Sequence, residues 1–214
     1  MIDKLHYISQ QSQNGTHLSA IKAALDAGCK WIQLRVKDQP EDIILQYAIE
    51  AVKLCDGYGA RLIVNDHPEI AKKAGAHGLH LGLQDMPIQQ ARQIVGHDMI
   101  IGGTANTFAH VKQRVAEGAD YIGLGPYRFT TTKQKLSPVL GLDGYQDIMD
   151  QMRLANMSIP VIAIGGIVPA DIPPIIQSGV YGVALSGAIT HATNARQVVS
   201  ELYHHLNQPS FNEA

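Results

Sequence analysis

The sequence has 214 residues, of which 45% are apolar and 17% charged, and its formal net charge is −2. A chain of this size and composition can bury a large core, which argues against an intrinsically disordered protein. The near-neutral charge offers no basic surface for nucleic acid, and no apolar run approaches the roughly 20 residues of a membrane-spanning helix.

Short apolar runs alternate with segments of helical period along the whole chain. The runs predict strands at 5–9, 31–35, 61–65, 78–81, 98–102, 121–124, 160–164 and 182–185. Helices are predicted between and after them, the first from Thr16 as N-cap and the last at 195–206. Near-continuous apolar strands that each precede a helix indicate a parallel sheet buried on both faces. Eight such units fit a closed (β/α)8 TIM barrel better than an open doubly wound sheet.

The domain organisation follows from the same pattern. No linker interrupts the eight units, so we expect one domain over residues 1–207 and a disordered tail at 208–214. The first residues enter a strand at once and lack the apolar region of a signal peptide. Cys29 and Cys55 lie in apolar helical contexts, so we expect buried free thiols and a cytoplasmic protein. The oligomeric state stays open, a homo-oligomer included.

Three polar side chains extend from the second strand towards its carboxyl end, where the reacting groups of such barrels lie. Gln33, Arg35 and Lys37 are spaced by two residues, so they point the same way. Burying an amide, a guanidinium and an ammonium together is costly unless an anion binds there. A half-exposed strand is the alternative, but a barrel strand has no solvated face along its length.

Two carboxylates follow neighbouring strands, Asp66 after the third and Asp85 beyond the fourth. With cationic groups facing them, they suit a Mg²⁺ held partly by the protein and partly by substrate phosphates. Each aspartate could instead cap the helix that follows it, near Pro68 or Pro87. Both interpretations stay open from the residues alone.

Glycine-containing segments follow the last two predicted strands, Gly-Gly-Ile at 165–167 and Ser-Gly-Ala at 186–188. Glycine lets N–H groups approach an anion without a Cβ in the way, and this is the recurrent phosphate site of such barrels. Helix-entry turns that merely need glycine are the alternative. We therefore expect a monophosphate pocket here, beside the cation-rich region that suits a diphosphate.

The sixth strand runs into Gly-Pro and then three threonines and a lysine, within residues 125–133. Hydroxyl and backbone donors with an ammonium suit phosphate oxygens. Taken alone, the segment could be a solvated loop. Its place beside the seventh strand predicts that it reaches over both pockets.

These stretches, taken in order, resemble the thiamine-phosphate synthase family. The matching segments are QLRVK at 33–37, VND at 64–66, GLHLG at 78–82, DMP at 85–87, GADY at 118–121, GP at 125–126, TTTK at 130–133, VIAIGGI at 161–167 and GVA at 182–184. The resemblance implies a (β/α)8 transferase of thiamine biosynthesis. Such an enzyme joins 4-amino-5-hydroxymethyl-2-methylpyrimidine diphosphate to thiazole phosphate and releases pyrophosphate.

The resemblance also implies roles for individual residues. Asp66 and Asp85 would bind Mg²⁺, the implied cofactor. The pyrimidine diphosphate would be bound by Gln33, Arg35, Lys37, Asn65 and Lys133. The thiazole phosphate would be held or adjoined by Thr130, Thr132, Gly166 and the amides of Ser186 and Gly187. The groups that neutralise the leaving pyrophosphate, and so carry catalysis, would be Lys133, Arg35 and Lys37.

Four positions depart from the family pattern. Leu83 stands where a glutamine is usual, and Asn106 where a histidine is usual. Thr104 replaces a serine but keeps a hydroxyl, so it remains a candidate substrate-binding residue. The Ile-Ser pair usual after the eighth strand reads Ser186-Gly187, which preserves backbone donors.

Two other functions remain open. A related thiazole tautomerase would share the barrel and the phosphate pocket but would need an acid–base residue. His80, inside the fourth strand, could serve, although a core histidine is the alternative interpretation. A non-catalytic barrel that senses a phosphorylated metabolite is the third possibility, since Leu83 and Asn106 depart from the pattern. The intact aspartates and lysine favour the synthase.

Overall fold

The computed structural model describes residues 1–11, 15–129 and 138–208. Thr130, Thr132 and Lys133 therefore lie outside the described residues, as does the predicted tail from residue 209 onward.

Eight parallel strands of the described chain close into a barrel in sequence order, and β8 pairs back with β1. The strands are β1 Leu5–Ile8, β2 Trp31–Leu34, β3 Arg61–Asn65, β4 Gly78–Leu81, β5 Ile100–Ala105, β6 Tyr121–Leu124, β7 Val161–Ala163 and β8 Gly182–Leu185. The predicted (β/α)8 fold is confirmed.

Helices follow the strands on the outside of the barrel. Within the described ranges they are α1 His17–Asp26, α2 Glu41–Gly57, α3 Pro68–Ala74, α4 Ile88–Val95, α5 Phe108–Ala116, α6 Gly141–Leu154, α7 Ile172–Gln177, α8 Gly187–Thr190 and α9 Ala195–Leu206, with a 3₁₀ turn at Pro169–Asp171 before α7. Thr16 caps α1 as predicted, because its hydroxyl accepts from the Ser19 amide at 3.2 Å. The short helix α8 was not predicted.

The fifth strand differs from its prediction of 98–102. It runs over Ile100–Ala105, so Gly102 and Gly103 lie inside the ladder. A Cβ at Gly102 would lie 2.1 Å from the Tyr121 ring, and one at Gly103 would lie 2.8 Å from Cδ of Arg114. The glycines therefore continue the strand, because neighbouring large side chains occupy the space where their own would be.

The core has two parts, one between strands and helices and one inside the barrel. The interior holds Trp31, Ile63 and Tyr121 in one buried cluster, and His6 stacks on Trp31 at 4.6 Å between ring centroids. Cys29 and Cys55 are buried free thiols, as predicted, and burial raises the pKa of each to about 12. Within the described ranges, no helix combines the length and apolar character that a membrane crossing requires.

Candidate active site

Two cavities adjoin at the carboxyl ends of the strands. The first has a volume of about 420 Å³ and lies in the mouth of the barrel, with its charged side chains after β2, β3 and β4. The second has a volume of about 460 Å³ and lies over the ends of β7 and β8. Both are lined by Ile8, Arg35, Thr104, Ile164 and Ala184. A molecule in one cavity can therefore contact a molecule in the other.

Most of the polar side chains that the sequence predicts to form a site line the first cavity. Its lining includes Gln33, Arg35, Lys37, Asn65, Asp66, Asp85 and Thr104. Gln33 is buried and donates from Nε2 to Oδ1 of Asn65 at 2.7 Å. This bond fixes the orientation of the Gln33 amide and leaves its side-chain carbonyl oxygen to accept a hydrogen bond from a ligand. Gln33 lies on β2, and Arg35 and Lys37 lie beyond its end at Leu34, but all three line one cavity as their spacing predicted.

The two aspartates lie on one side of the first cavity. Lys37 forms an ion pair with Asp66, and Asp85 Oδ2 accepts from the Gly82 amide at 2.6 Å. Burial raises the pKa of Asp85, and the neighbouring carboxylate of Asp66 raises it further. Neither aspartate caps a helix, since α3 and α4 begin after His67 and Pro87 without a side-chain cap.

The donor chemistry here fits a divalent cation. Two neighbouring carboxylates, one of them half-buried, repel each other, and Lys37 offsets this repulsion from the Asp66 side. The described residues include no group of three or more His, Cys, Asp or Glu side chains that could hold a metal. Mg²⁺ commonly takes only one or two carboxylates from a protein and completes its coordination with water and substrate phosphate. Asp66 and Asp85 match that donor set.

The floor of the first cavity is a network of polar rings. His80 is buried; its Nδ1 lies 3.0 Å from the Tyr121 hydroxyl, and its Nε2 lies 3.0 Å from Oγ1 of Thr104. Burial raises the pKa of Tyr121, so the phenol stays protonated. Deeper in the barrel, burial lowers the pKa of His6 to about 3. These contacts match the interpretation of His80 as a core histidine, and they orient the Thr104 hydroxyl.

The second cavity is lined by backbone at the positions predicted to hold a monophosphate. Gly165 and Gly166 have φ of 95° and 72°, a conformation that favours glycine. Among the described residues, no hydrogen bond uses the N–H of Gly166 or Ile167. Ser186 and Gly187 line the opposite wall. The cavity therefore offers the N–H groups of Gly166 and Ile167, which make no hydrogen bond to another described residue, and the Arg35 guanidinium at its border with the first cavity.

Gln10 and His191 also line the second cavity, and no pattern in the sequence indicated them. Gln10 Nε2 lies 2.6 Å from His191 Nε2. The Ser186 hydroxyl donates to the Ile8 carbonyl at 2.7 Å and lies 2.9 Å from Gln10 Oε1. The Ser186 side chain is thus turned towards β1, which leaves its backbone for the cavity. These contacts join residues about 180 positions apart, so no local spacing could have revealed them.

Asn106 departs from the family pattern, and in the structure its side chain forms two hydrogen bonds. It is buried, and its Nδ2 donates to the carbonyls of Gly125 at 3.0 Å and Pro138 at 2.8 Å. Backbone bonds from Leu140 to Pro126 and from Gly141 to Tyr127 lie alongside. Asn106 therefore holds together the two ends of the segment that contains Thr130, Thr132 and Lys133.

Comparisons with known proteins agree with this geometry. A family profile described as thiamine monophosphate synthase matches residues 5–189. A protein of Bacteroides fragilis named thiamine-phosphate synthase is 54% identical over 188 residues, which cover 88% of this chain and 92% of that protein. One of Flavobacterium psychrophilum with the same name is 49% identical over 202 residues, covering 94% of this chain and 98% of that protein.

A solved structure described as thiamine phosphate pyrophosphorylase from Pyrococcus furiosus superimposes with a TM-score of 0.82. It is 28% identical and covers 95% of each chain. Sequence and fold thus lead to the same relatives over nearly the full length. The chain belongs to the thiamine monophosphate synthase family.

Proposed function

We propose that this chain catalyses the thiamine-phosphate synthase reaction, as its curated relatives are named to do. It would join 4-amino-5-hydroxymethyl-2-methylpyrimidine diphosphate to thiazole phosphate and release pyrophosphate. One observation carries the proposal. A cavity with cationic side chains and two neighbouring carboxylates adjoins a cavity lined by the N–H groups of Gly166 and Ile167, which make no hydrogen bond to another described residue. This arrangement matches one diphosphate substrate and one monophosphate substrate held side by side.

The first cavity would hold the pyrimidine diphosphate. Arg35 and Lys37 supply positive charge for the diphosphate oxygens, and Arg is suited to paired contacts with them. The Gln33–Asn65 pair presents an amide acceptor to the exocyclic amine of the ring. The Thr104 hydroxyl, oriented by His80, lies where the two cavities meet. These contacts would hold the methylene carbon of the pyrimidine towards the second cavity.

Asp66 and Asp85 would hold Mg²⁺ at the diphosphate. When bound, the ion neutralises charge that develops on the leaving pyrophosphate. Lys37, paired with Asp66, extends the same cationic surface. By the family resemblance, Lys133 adds a further ammonium, with Thr130 and Thr132 beside the thiazole phosphate.

The second cavity would hold the thiazole phosphate on the N–H groups of Gly166, Ile167, Ser186 and Gly187. Such donors bind an anion without requiring a cation. The thiazole nitrogen would then face the first cavity across Thr104 and Ile164.

The proposed reaction is a dissociative substitution. The amino group of the pyrimidine donates electron density as the carbon–oxygen bond to the diphosphate breaks, and pyrophosphate leaves with the bonding electrons. The thiazole nitrogen then donates its lone pair to the methylene carbon and forms the new carbon–nitrogen bond. The protein needs no covalent nucleophile, because its role is to position two substrates and neutralise a leaving group.

One assay separates the candidate functions. The protein is supplied with both substrates and Mg²⁺, and thiamine phosphate is measured with and without EDTA. Formation that stops with EDTA supports the synthase. Isomerisation of the thiazole alone would indicate a tautomerase, and binding of either substrate without turnover would indicate a sensor.

A further inference from the structure

Arg128 follows β6 and binds the turn after β7 through both its backbone and its side chain. Its amide donates to the Gly165 carbonyl at 3.0 Å, and Nη1 donates to the Gly166 carbonyl at 3.1 Å. Arg128 does not line either cavity. One residue outside the cavities therefore binds two consecutive carbonyls of the turn that lines the second cavity.

The two hydrogen bonds from Arg128 to carbonyls also determine where the N–H groups of the same peptides point. In a trans peptide the C=O and the N–H point in opposite directions. Because Arg128 binds the carbonyls of Gly165 and Gly166, the N–H groups of Gly166 and Ile167 point away from Arg128. Those are the N–H groups that make no hydrogen bond among the described residues, and both residues line the second cavity. Arg128 thus sets the direction of two anion-binding donors.

Asp171 holds the guanidinium in this position. Nη1 and Nη2 of Arg128 donate to its two carboxylate oxygens at 2.8 and 2.7 Å. Asp171 Oδ2 also accepts from the Val168 amide at 2.8 Å, and its side chain is only 12% exposed. The guanidinium lies 5.1 Å from the centroid of the Tyr127 ring. A paired and stacked arginine of this kind loses most of its rotamer freedom before any substrate binds.

The turn has little room to move back from Arg128. A Cβ at Gly166 would lie 2.4 Å from Cγ of Arg128 and 3.1 Å from the Phe129 carbonyl oxygen. The glycine backbone is thus in close contact with the arginine side chain on one side and open to the cavity on the other. Shortening that side chain would free the turn to rotate its peptides.

We infer that Arg128, held by Asp171, is a positioning residue that preorganises the Gly166 and Ile167 N–H groups for the phosphate of the thiazole substrate. The inference rests on the proposed function, which identifies that substrate. It assigns Arg128 no contact with either substrate. The diphosphate side of the site, on β2 to β4, is separate from this turn.

The test compares Arg128→Met with wild type and with a matched control. Arg153→Met removes an exposed ion pair with Asp150 on α6, whose side chains are 69% and 61% exposed and lie outside both cavities. Calorimetry gives the Kd of thiazole phosphate, steady-state kinetics give the KM of each substrate, and thermal unfolding gives Tm. Asp171→Asn and the double variant complete a mutant cycle.

Arg128→Met is expected to raise the Kd and KM of thiazole phosphate about tenfold, the size of one hydrogen bond to a charged group. The KM of the pyrimidine diphosphate should change by less than about twofold. Tm should fall more than in Arg153→Met, because the Asp171 carboxylate is only 12% exposed and loses its partner. Asp171→Asn should act in the same direction, and the double variant should be no worse than Arg128→Met, since the two residues act as one unit.

An unchanged Kd for thiazole phosphate in Arg128→Met would overturn the inference. So would an equal rise in both KM values, because that pattern indicates general structural support. The binding measurement separates this inference from the proposed function. If wild type binds thiazole phosphate but forms no thiamine phosphate, the function fails and the Kd values still decide the role of Arg128. If wild type neither binds thiazole phosphate nor forms thiamine phosphate, both are wrong.

Discussion

Arg114 on α5 donates from Nη2 to the carbonyl oxygen of Gly82, 32 residues earlier in the chain, at 2.7 Å. Its Nε donates to the Thr104 carbonyl at 3.2 Å, and Nη1 pairs with Glu117 at 2.7 Å. The Gly82 amide in turn donates to Asp85. A single arginine, only 2% exposed, therefore joins the ends of β4 and β5 behind the proposed metal site.

Arg114→Met should lower the free energy of unfolding by about 3–5 kcal/mol, because it leaves buried acceptors and one carboxylate without their partner. Urea denaturation measures this change in the free energy of unfolding. Arg114→Lys should restore part of the loss, and the exposed Arg153→Met should cost less than about 1 kcal/mol. A cost for Arg114→Met as small as that of Arg153→Met would contradict the bridging role.

Of two substitutions at Asn106, the one that changes the shape of the side chain less is expected to destabilise the protein more. Asn106→Ala removes two donors and should cost about 2–3 kcal/mol, since the Gly125 and Pro138 carbonyls lose their partner. Asn106→Asp keeps the shape but places carboxylate oxygens against both carbonyls, so it should cost more than the alanine. Thermal unfolding and turnover should both rank wild type above alanine and alanine above aspartate. The reverse order of the two variants would show that Asn106 does not act as a donor.

His6 predicts a pH dependence of stability. Burial, opposed by its bond to the Asp3 carbonyl and assisted by His80, lowers its pKa from 6.5 to about 3. The unfolded chain therefore binds a proton between these values that the folded chain does not. Stability is fully present above pH 6.5 and is lost as the pH falls towards about 3. Between pH 7 and 5 this loss is about 2 kcal/mol.

His6→Phe can keep the stacking on Trp31 but carries no titrating group. The unfolding free energy of this variant should fall by about 2 kcal/mol less than that of wild type between pH 7 and 5. Urea titrations at the two pH values measure the difference. Equal pH slopes in the two proteins would mean that His6 is not the group responsible.

Asp66→Asn and Asp85→Asn test the proposed metal site. Each should raise the Mg²⁺ concentration needed for half-maximal turnover by at least about tenfold, since even outer-shell partners of metal ligands typically contribute that much. The exposed Asp150→Asn, outside both cavities, is the control. A normal Mg²⁺ response in both cavity variants would remove these residues from the metal site.

Lys133→Ala tests the residue that the family resemblance places at the leaving group. Loss of a donor to developing negative charge typically lowers the rate about 10²–10³-fold. The fold should be intact, as judged by circular dichroism and Tm, because the predicted role is electrostatic. Near-normal turnover would exclude Lys133 from catalysis.

Much of the barrel could be predicted because its signals are local. Apolar runs, the Thr16 cap and glycine stops reflect what each short segment can adopt on its own. The bounds of the fifth strand were predicted wrongly, at 98–102 and not Ile100–Ala105, since consecutive glycines such as Gly102 and Gly103 usually end a strand. Here they remain in it because Tyr121 and Arg114 fill the space beside them.

Part of the candidate site could also be predicted from the sequence. A spacing of two predicted that Gln33, Arg35 and Lys37 share one direction, although β2 ends at Leu34, and parallel strand ends share one rim. The sequence by itself thus determined the fold class and which β2 to β4 side chains face the first cavity.

The tertiary structure alone decided how the site is supported. Arg114 meets Gly82, Asn106 meets Pro138 and Arg128 meets Gly166 across separations of 32 to 38 residues. Such pairs depend on the closure of the barrel and on side chains that reach from one βα loop to the next. No period or spacing along the chain encodes them, because the physical cause of each contact is proximity that exists only after folding.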